Sequence, residues 1–229
     1  MYNILLFDLD DTLLDFQKSE SKALEKVFQQ FRIPFTEEHI VKYKDINHQL
    51  WIDYESGKIE RDFIFETRFP KFLANYNHHV KGIEVDLIYR SHLREGHDIK
   101  EGAHELLDSL KAKGSRLFAV TNGLLEMQQK RLLDSGLNHY FEQVFISEEA
   151  GYKKPDIELF DYVFTRIPNF DITKTVMIGD MLHADILGGV NAGIDTIWLN
   201  DKGYLKYVDV KPTYEVRSIN ELKDLLLKG

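Results

Sequence analysis

The chain has 229 residues, 43% apolar and 29% charged, a balance that suits a soluble globular protein and argues against disorder. Its 29 basic and 38 acidic side chains give a net charge of −9, which offers no electrostatic footprint for a nucleic acid polymer or an anionic membrane, although a small anionic substrate is still allowed. The absence of cysteine excludes disulfides, thiolate nucleophiles and thiolate metal sites, and fits a reducing compartment.

The first predicted element is a strand, Ile4-Leu5-Leu6-Phe7, which ends in Asp8-Leu9-Asp10-Asp11-Thr12. Its apolar run stops at Asp8 with no basic segment before it, so no signal peptide is expected. No stretch approaches the ~20 apolar residues of a membrane span, and the chain reads as cytoplasmic. Asp8 and Asp10 point to the same side, about 7 Å apart at Cα for a rise of roughly 3.3 Å per residue. Two converging carboxylates repel and need a cation between them or a proton on one. Such a pair can supply a nucleophile and an acid/base around a divalent metal. A polar turn capped by Asp11 and Thr12 is the plainer alternative.

Residues 18–95 read as wholly helical, with Phe28, Phe31, Tyr43, Leu50, Trp51, Tyr54, Phe63, Phe65, Phe69 and Phe72 at near-helical spacings. Thr36-Glu37-Glu38 reads as a helix N-cap. Ser56-Gly57-Lys58 reads as a loop, and Pro70 is expected to end or kink its helix. From residue 97 the rhythm alternates. Ala103, Leu106, Leu107 and Leu110 form a helical stripe stopped by Gly114. Strands are predicted at Leu117–Val120, Val144–Ile146, Thr175–Ile178 and Thr196–Leu199, with helices between them. Ser218-Ile219-Asn220-Glu221 is a capping box for the last helix.

This order predicts an α/β fold: a doubly wound parallel sheet, residues 1–17 and 96–229, interrupted by a helical cap, residues 18–95. Ligands of such sheets bind beyond the carboxyl ends of the strands. Those ends carry Asp8 and Asp10, then Thr121 and Asn122, then the Lys153-Lys154 loop, then Asp180 with Asp185 five residues on. The set suits phosphoryl transfer, which depends on positioning and charge neutralisation. Thr121 and Asn122 as a helix cap, the lysines as solvated charges and Asp185 as a cap are the structural alternatives. Gly188 and Gly189 read as packing glycines.

Asp8-Leu9-Asp10-Asp11-Thr12, Thr121-Asn122-Gly123, Lys154-Pro155 and Gly179-Asp180-Met181-Leu182-His183-Ala184-Asp185 resemble the four ordered motifs of the haloacid dehalogenase superfamily. The resemblance implies a Rossmann-like core with a C1-type helical cap. It implies that Asp8 attacks phosphorus to form an aspartyl-phosphate and that Asp10 exchanges protons with the leaving oxygen and then with water. Mg²⁺ would be held by Asp8, the Asp10 carbonyl and Asp180. Thr121 and the Asn122 amide would hold phosphate oxygens, Lys154 would neutralise nucleophile and phosphoryl group, and Asp185 would support them. Asp10 favours phosphate hydrolysis over halide release. Asp11 stands where many cap-bearing phosphatases have glycine, and Asp11-Thr12-Leu13-Leu14-Asp15-Phe16 resembles the bacterial pyrimidine 5'-nucleotidase-like subfamily.

The leading expectation is a Mg²⁺-dependent phosphatase of small phosphorylated metabolites, with nucleoside 5'-monophosphates as a candidate class. A sugar-phosphate phosphomutase and a catalytically idle binding protein are the alternatives. Substrate-facing candidates in the cap are Phe16, Trp51 and Lys58, with Tyr43, His48, Tyr54 and Arg61 behind them. The Lys58 loop is a candidate lid.

Overall fold

The computed structural model describes residues 2–203 and 209–228, which divide into two compact units, residues 1–15 with 97–229 and residues 16–96. The dividing points lie at residues 15 and 96, against the expected 17 and 95.

In the first unit the strands are β1 (Ile4–Phe7), β2 (Arg116–Thr121), β3 (Gln143–Ile146), β4 (Thr175–Gly179), β5 (Asp195–Leu199) and β6 (Tyr214–Val216). They form one sheet in the order β3-β2-β1-β4-β5-β6, every neighbouring pair parallel. Successive side chains go to opposite faces. Leu5, Phe7, Leu117, Ala119, Val176 and Ile178 join one apolar cluster, and Ile4, Leu6, Phe118, Val120 and Met177 join the other. Burial on both faces explains why these strands read as continuous apolar runs. The strand order reverses at β1, whose neighbours are β2 and β4, so the carboxyl ends of these three strands meet at the switch point.

The helices are, in the second unit, α1 (Phe16–Gln30), α2 (Glu37–Glu55), α3 (Arg61–Leu73) and α4 (Gly82–Leu93). In the first unit they are α5 (Ala103–Ala112), α6 (Leu125–Asp134), α7 (Ser147–Ala150), α8 (Ile157–Phe164), α9 (Leu187–Asn191) and α10 (Ile219–Lys228). A π-helical turn, Leu182–Ile186, leads into α9. Gly188 and Gly189 are packing glycines: a Cβ would lie 2.7 Å from Phe160 at the first and 2.5 Å from Thr196 at the second. The Thr36 cap forms, accepting from the His39 amide at 3.5 Å. Ser218 caps α10 through the Glu221 amide at 3.1 Å, and Glu221 reaches back to the Arg217 amide at 2.8 Å.

The second unit is an all-helical bundle around Phe28, Tyr43, Phe69 and Phe72, all wholly buried. Inside it Arg68 pairs with Asp86 at 2.5 Å and donates to Asn47 at 3.1 Å. Tyr43 stacks on Phe69 with centroids 5.2 Å apart, so it serves the bundle core. Phe63, expected within the apolar stripe, is exposed. Pro70 does not end its helix, which continues to Leu73. The carbonyl that Pro70 leaves without a helical donor is that of Glu66. Gly82 packs against that carbonyl so closely that a Cβ would lie 1.9 Å from it.

Candidate active site

The turn after β1 sets the first two acids. The Asp8 amide donates to Ile178 at 2.8 Å, which continues the sheet, and the Leu13 and Leu14 amides both return to the Leu9 carbonyl. Asp11 sits between them at φ 59, the left-handed region. That backbone explains why glycine suits this position; aspartate tolerates it better than most side chains. Its carboxylate accepts from Lys202 Nζ at 2.7 Å. Thr12 Oγ1 donates to Asp8 Oδ2 at 3.3 Å.

Lys154 lies at the centre of the site, with 1% exposure. Its ammonium donates to Asp8 Oδ1 at 2.6 Å, Asp185 Oδ1 at 2.6 Å and the Val120 carbonyl at 2.9 Å, which uses all three protons. Burial opposes its charge, but Asp185 and Asp8 outweigh burial and hold its proton more firmly than in a free lysine. Its backbone is fixed by Asn122, whose Oδ1 accepts from the Lys154 amide at 2.8 Å and whose Nδ2 donates to the Lys154 carbonyl at 3.0 Å. The Lys154–Pro155 peptide is cis.

The two oxygens of Asp185 are used differently. One oxygen takes Lys154, and the other accepts from the Met181 amide at 3.0 Å, closing the turn before α9. Gly179 makes room for it, since a Cβ there would lie 2.1 Å from Asp185 Oδ2. Asp180 is oriented through its carbonyl, which accepts from the Trp198 indole at 2.8 Å.

One carboxylate oxygen from each of Asp8, Asp180 and Asp185 lies within 4.8 Å of the others, a group that could hold a metal ion. The donors are all hard oxygens, the kind that Mg²⁺ takes. Burial pushes Asp8 up to about 7; Lys154 pulls it down and Asp185 and Asp10 add to the rise. Desolvation raises Asp180 well above the carboxylate range, and Asp11, Asp8 and Asp185 add to the effect. Burial is the largest cause of both rises and the neighbouring carboxylates add to it, so a cation bound among these oxygens would offset both.

Thr121, at the end of β2, is 1% exposed. Its oxygen accepts from the Gly123 amide at 3.1 Å and from Gln128 Nε2 at 2.9 Å. Both lone pairs are then used, and the hydroxyl proton is left to donate. The cap alternative for Thr121 and Asn122 does not form, because α6 begins only at Leu125, whose amide donates to Glu148 at 2.6 Å. The Asp10 carboxylate is held by Arg131 and by Gln128, the latter at 2.9 Å. Gln128, Arg131 and Lys202 belong to none of the sequence motifs. The available signal was in α6, where Gln128, Arg131 and Leu132 share the buried face, so two polar residues occupy apolar-stripe positions.

The cap candidates belong to the second unit. Trp51 is half-buried and meets Tyr54 edge-on at 5.7 Å, and Phe16, at the start of α1, is half-buried. Lys58 is exposed and pairs with Asp53 of α2 at 3.1 Å.

A profile of the family described as haloacid dehalogenase-like hydrolase matches residues 5–199. HAD-hydrolase YfnB of Bacillus subtilis is 44% identical over 225 residues, 98% of this chain and 95% of that protein. Its crystal structure bound to magnesium covers 98% of each chain with a TM-score of 0.93. Pyrimidine 5'-nucleotidase PynA of Streptococcus pneumoniae is 40% identical over 228 residues, 100% of this chain and 96% of that one. Pyrimidine 5'-nucleotidase YjjG of Escherichia coli is 34% identical over 224 residues, 98% of this chain and 97% of that one. With these motifs at one switch point of a parallel sheet, the chain belongs to the haloacid dehalogenase-like hydrolase family.

Proposed function

We propose that this protein is a Mg²⁺-dependent phosphatase that hydrolyses small phosphomonoesters through an aspartyl-phosphate on Asp8, with pyrimidine nucleoside 5'-monophosphates as its substrate class. The observation that carries the reading is the buried Lys154 ammonium held between Asp8 and Asp185, with Asp10 two residues from the nucleophile. The substrate class is supported by the two pyrimidine 5'-nucleotidases at 40% and 34% identity.

Asp8 attacks phosphorus as the bond to the leaving oxygen breaks, and Asp10 gives that oxygen its proton. Asp10, now a carboxylate, takes a proton from water as the water oxygen bonds to phosphorus and the Asp8–phosphorus bond breaks. The Thr121 hydroxyl and the Asn122 amide donate to phosphoryl oxygens. Lys154 offsets charge on Asp8 and on the phosphoryl group. Asp8, Asp180 and the Asp10 carbonyl would hold Mg²⁺, with Asp185 beside them; bound there, it supplies charge neutralisation and orients the phosphate.

A panel of nucleotides and sugar phosphates, assayed for free phosphate with Mg²⁺ and with chelator, tests the reading. Release is expected from pyrimidine nucleoside monophosphates and is expected to stop on chelation. No release from any ester, or release indifferent to chelator, contradicts it.

The metal has a second, non-catalytic consequence. The folded chain keeps protons on Asp8 and Asp180 that the unfolded chain loses above its ordinary aspartate value of 3.8. These groups therefore stabilise less as pH rises from that value through about 7. A cation that binds their charged forms reverses the loss. Mg²⁺ at a hundred times its dissociation constant adds about 2.7 kcal/mol, so melting should rise with Mg²⁺, more at pH 8 than at pH 5. An equal rise at both values contradicts the assignment of these acids to the metal.

A further inference from the structure

Helix α6 carries two polar side chains that the chemistry above leaves unused, Gln128 and Arg131, both with 0% exposure. Long polar side chains are rarely buried to this extent unless they are paired. Arg131 Nη1 donates to Asp10 Oδ1 and, at 3.0 Å, to Gln128 Oε1. Gln128 Nε2 spends its two protons on Asp10 Oδ2 and Thr121 Oγ1, each at 2.9 Å. Both oxygens of Asp10 are therefore held by donors one helical turn apart, and the same amide ties Asp10 to Thr121.

Two further observations set this arrangement apart from an ordinary core ion pair. The Asp10 side chain remains 31% exposed while Arg131 is wholly buried, so the carboxyl is held from behind and left accessible in front. Gly123 makes the reach possible, because a Cβ there would lie 2.5 Å from Gln128 Cγ. The glycine of Thr121-Asn122-Gly123 thus has a stated physical task.

We infer that Gln128 and Arg131 are positioning residues that hold the carboxyl of Asp10 in place for proton transfer to the leaving oxygen. The inference rests on the phosphatase reading above. An unrestrained carboxyl samples several rotamers, and a misplacement of about 1 Å costs about a hundredfold in rate.

The test compares two esters by kcat/KM, which reports the steps through departure of the leaving group. The alkoxide leaving from uridine 5'-monophosphate needs a proton, whereas p-nitrophenolate leaves without one. Gln128→Leu is expected to lower kcat/KM for the nucleotide about 10- to 100-fold and to leave p-nitrophenyl phosphate within about threefold. Arg131→Met is expected to act in the same direction. Should Arg131→Met fail to fold, Gln128→Leu decides alone. An equal loss on both esters, or no loss, overturns the inference and makes the pair merely structural. If the unaltered protein releases phosphate from neither ester, the phosphatase reading itself fails, a result distinct from either variant outcome.

Discussion

Asp8→Asn is expected to lower phosphate release by about 10⁴-fold or more while the fold stays intact. Asparagine keeps the shape and an acceptor for Lys154, so the 2.6 Å contact can persist. It lacks the charged oxygen that would attack phosphorus. Stability moves the other way. Asp8 is one of three acids whose oxygens lie within 4.8 Å of one another, and burial already raises its proton affinity. Burial of this charge outweighs its attraction to Lys154, so neutralising it should let the melting temperature of the metal-free protein hold or rise. Measured activity and melting together separate a lost nucleophile from a lost fold. An Asp8→Asn variant with more than a tenth of the original activity contradicts the assignment.

Lys154→Met has the largest expected effect on stability, a loss of about 3–5 kcal/mol in metal-free buffer, read from denaturant unfolding. Methionine fills similar volume, so the loss is electrostatic. Lys154 is the cation between Asp8 and Asp185, and without it two buried carboxylates face each other. The asymmetry of buried pairs supplies the control. Adding Asp185→Asn to Lys154→Met removes one uncompensated charge and should recover part of the lost stability. Activity should not return, because the ammonium proposed to offset phosphoryl charge is still missing. If Lys154→Met alone is as stable as the original chain, the buried ammonium is not what holds these acids.

The strand ends were legible because each short apolar run breaks abruptly into polar residues, as Phe7 does into Asp8 and Ile178 into Gly179 and Asp180. β6 was not, since only Val216 of its three residues is buried and an edge strand leaves little pattern. Pro70 reads as a stop or a kink because proline removes a donor; the helix runs on to Leu73, with Gly82 packed beside the freed carbonyl. The chain names Asp8, Asp10, Lys154 and Asp185, but it does not show how they are supported. Asn122 reads as a phosphate-binding residue through its amide, while its side chain braces the Lys154 backbone. Arg131 and Gln128 look like ordinary polar residues of a helix until the fold brings them 121 and 118 positions back to Asp10. Such long-range partners have no local spacing to betray them.

In the proposed mechanism Asp8 carries the phosphoryl group in turnover. Rapid acid quench of the protein during hydrolysis of a labelled nucleoside monophosphate with Mg²⁺, followed by peptide mapping, tests it most directly. One acid-stable, hydroxylamine-labile phosphoryl group is expected on the peptide containing Asp8, and none in Asp8→Asn. Phosphate released in the first turnover with no label at residue 8, or with the label on another residue, contradicts it.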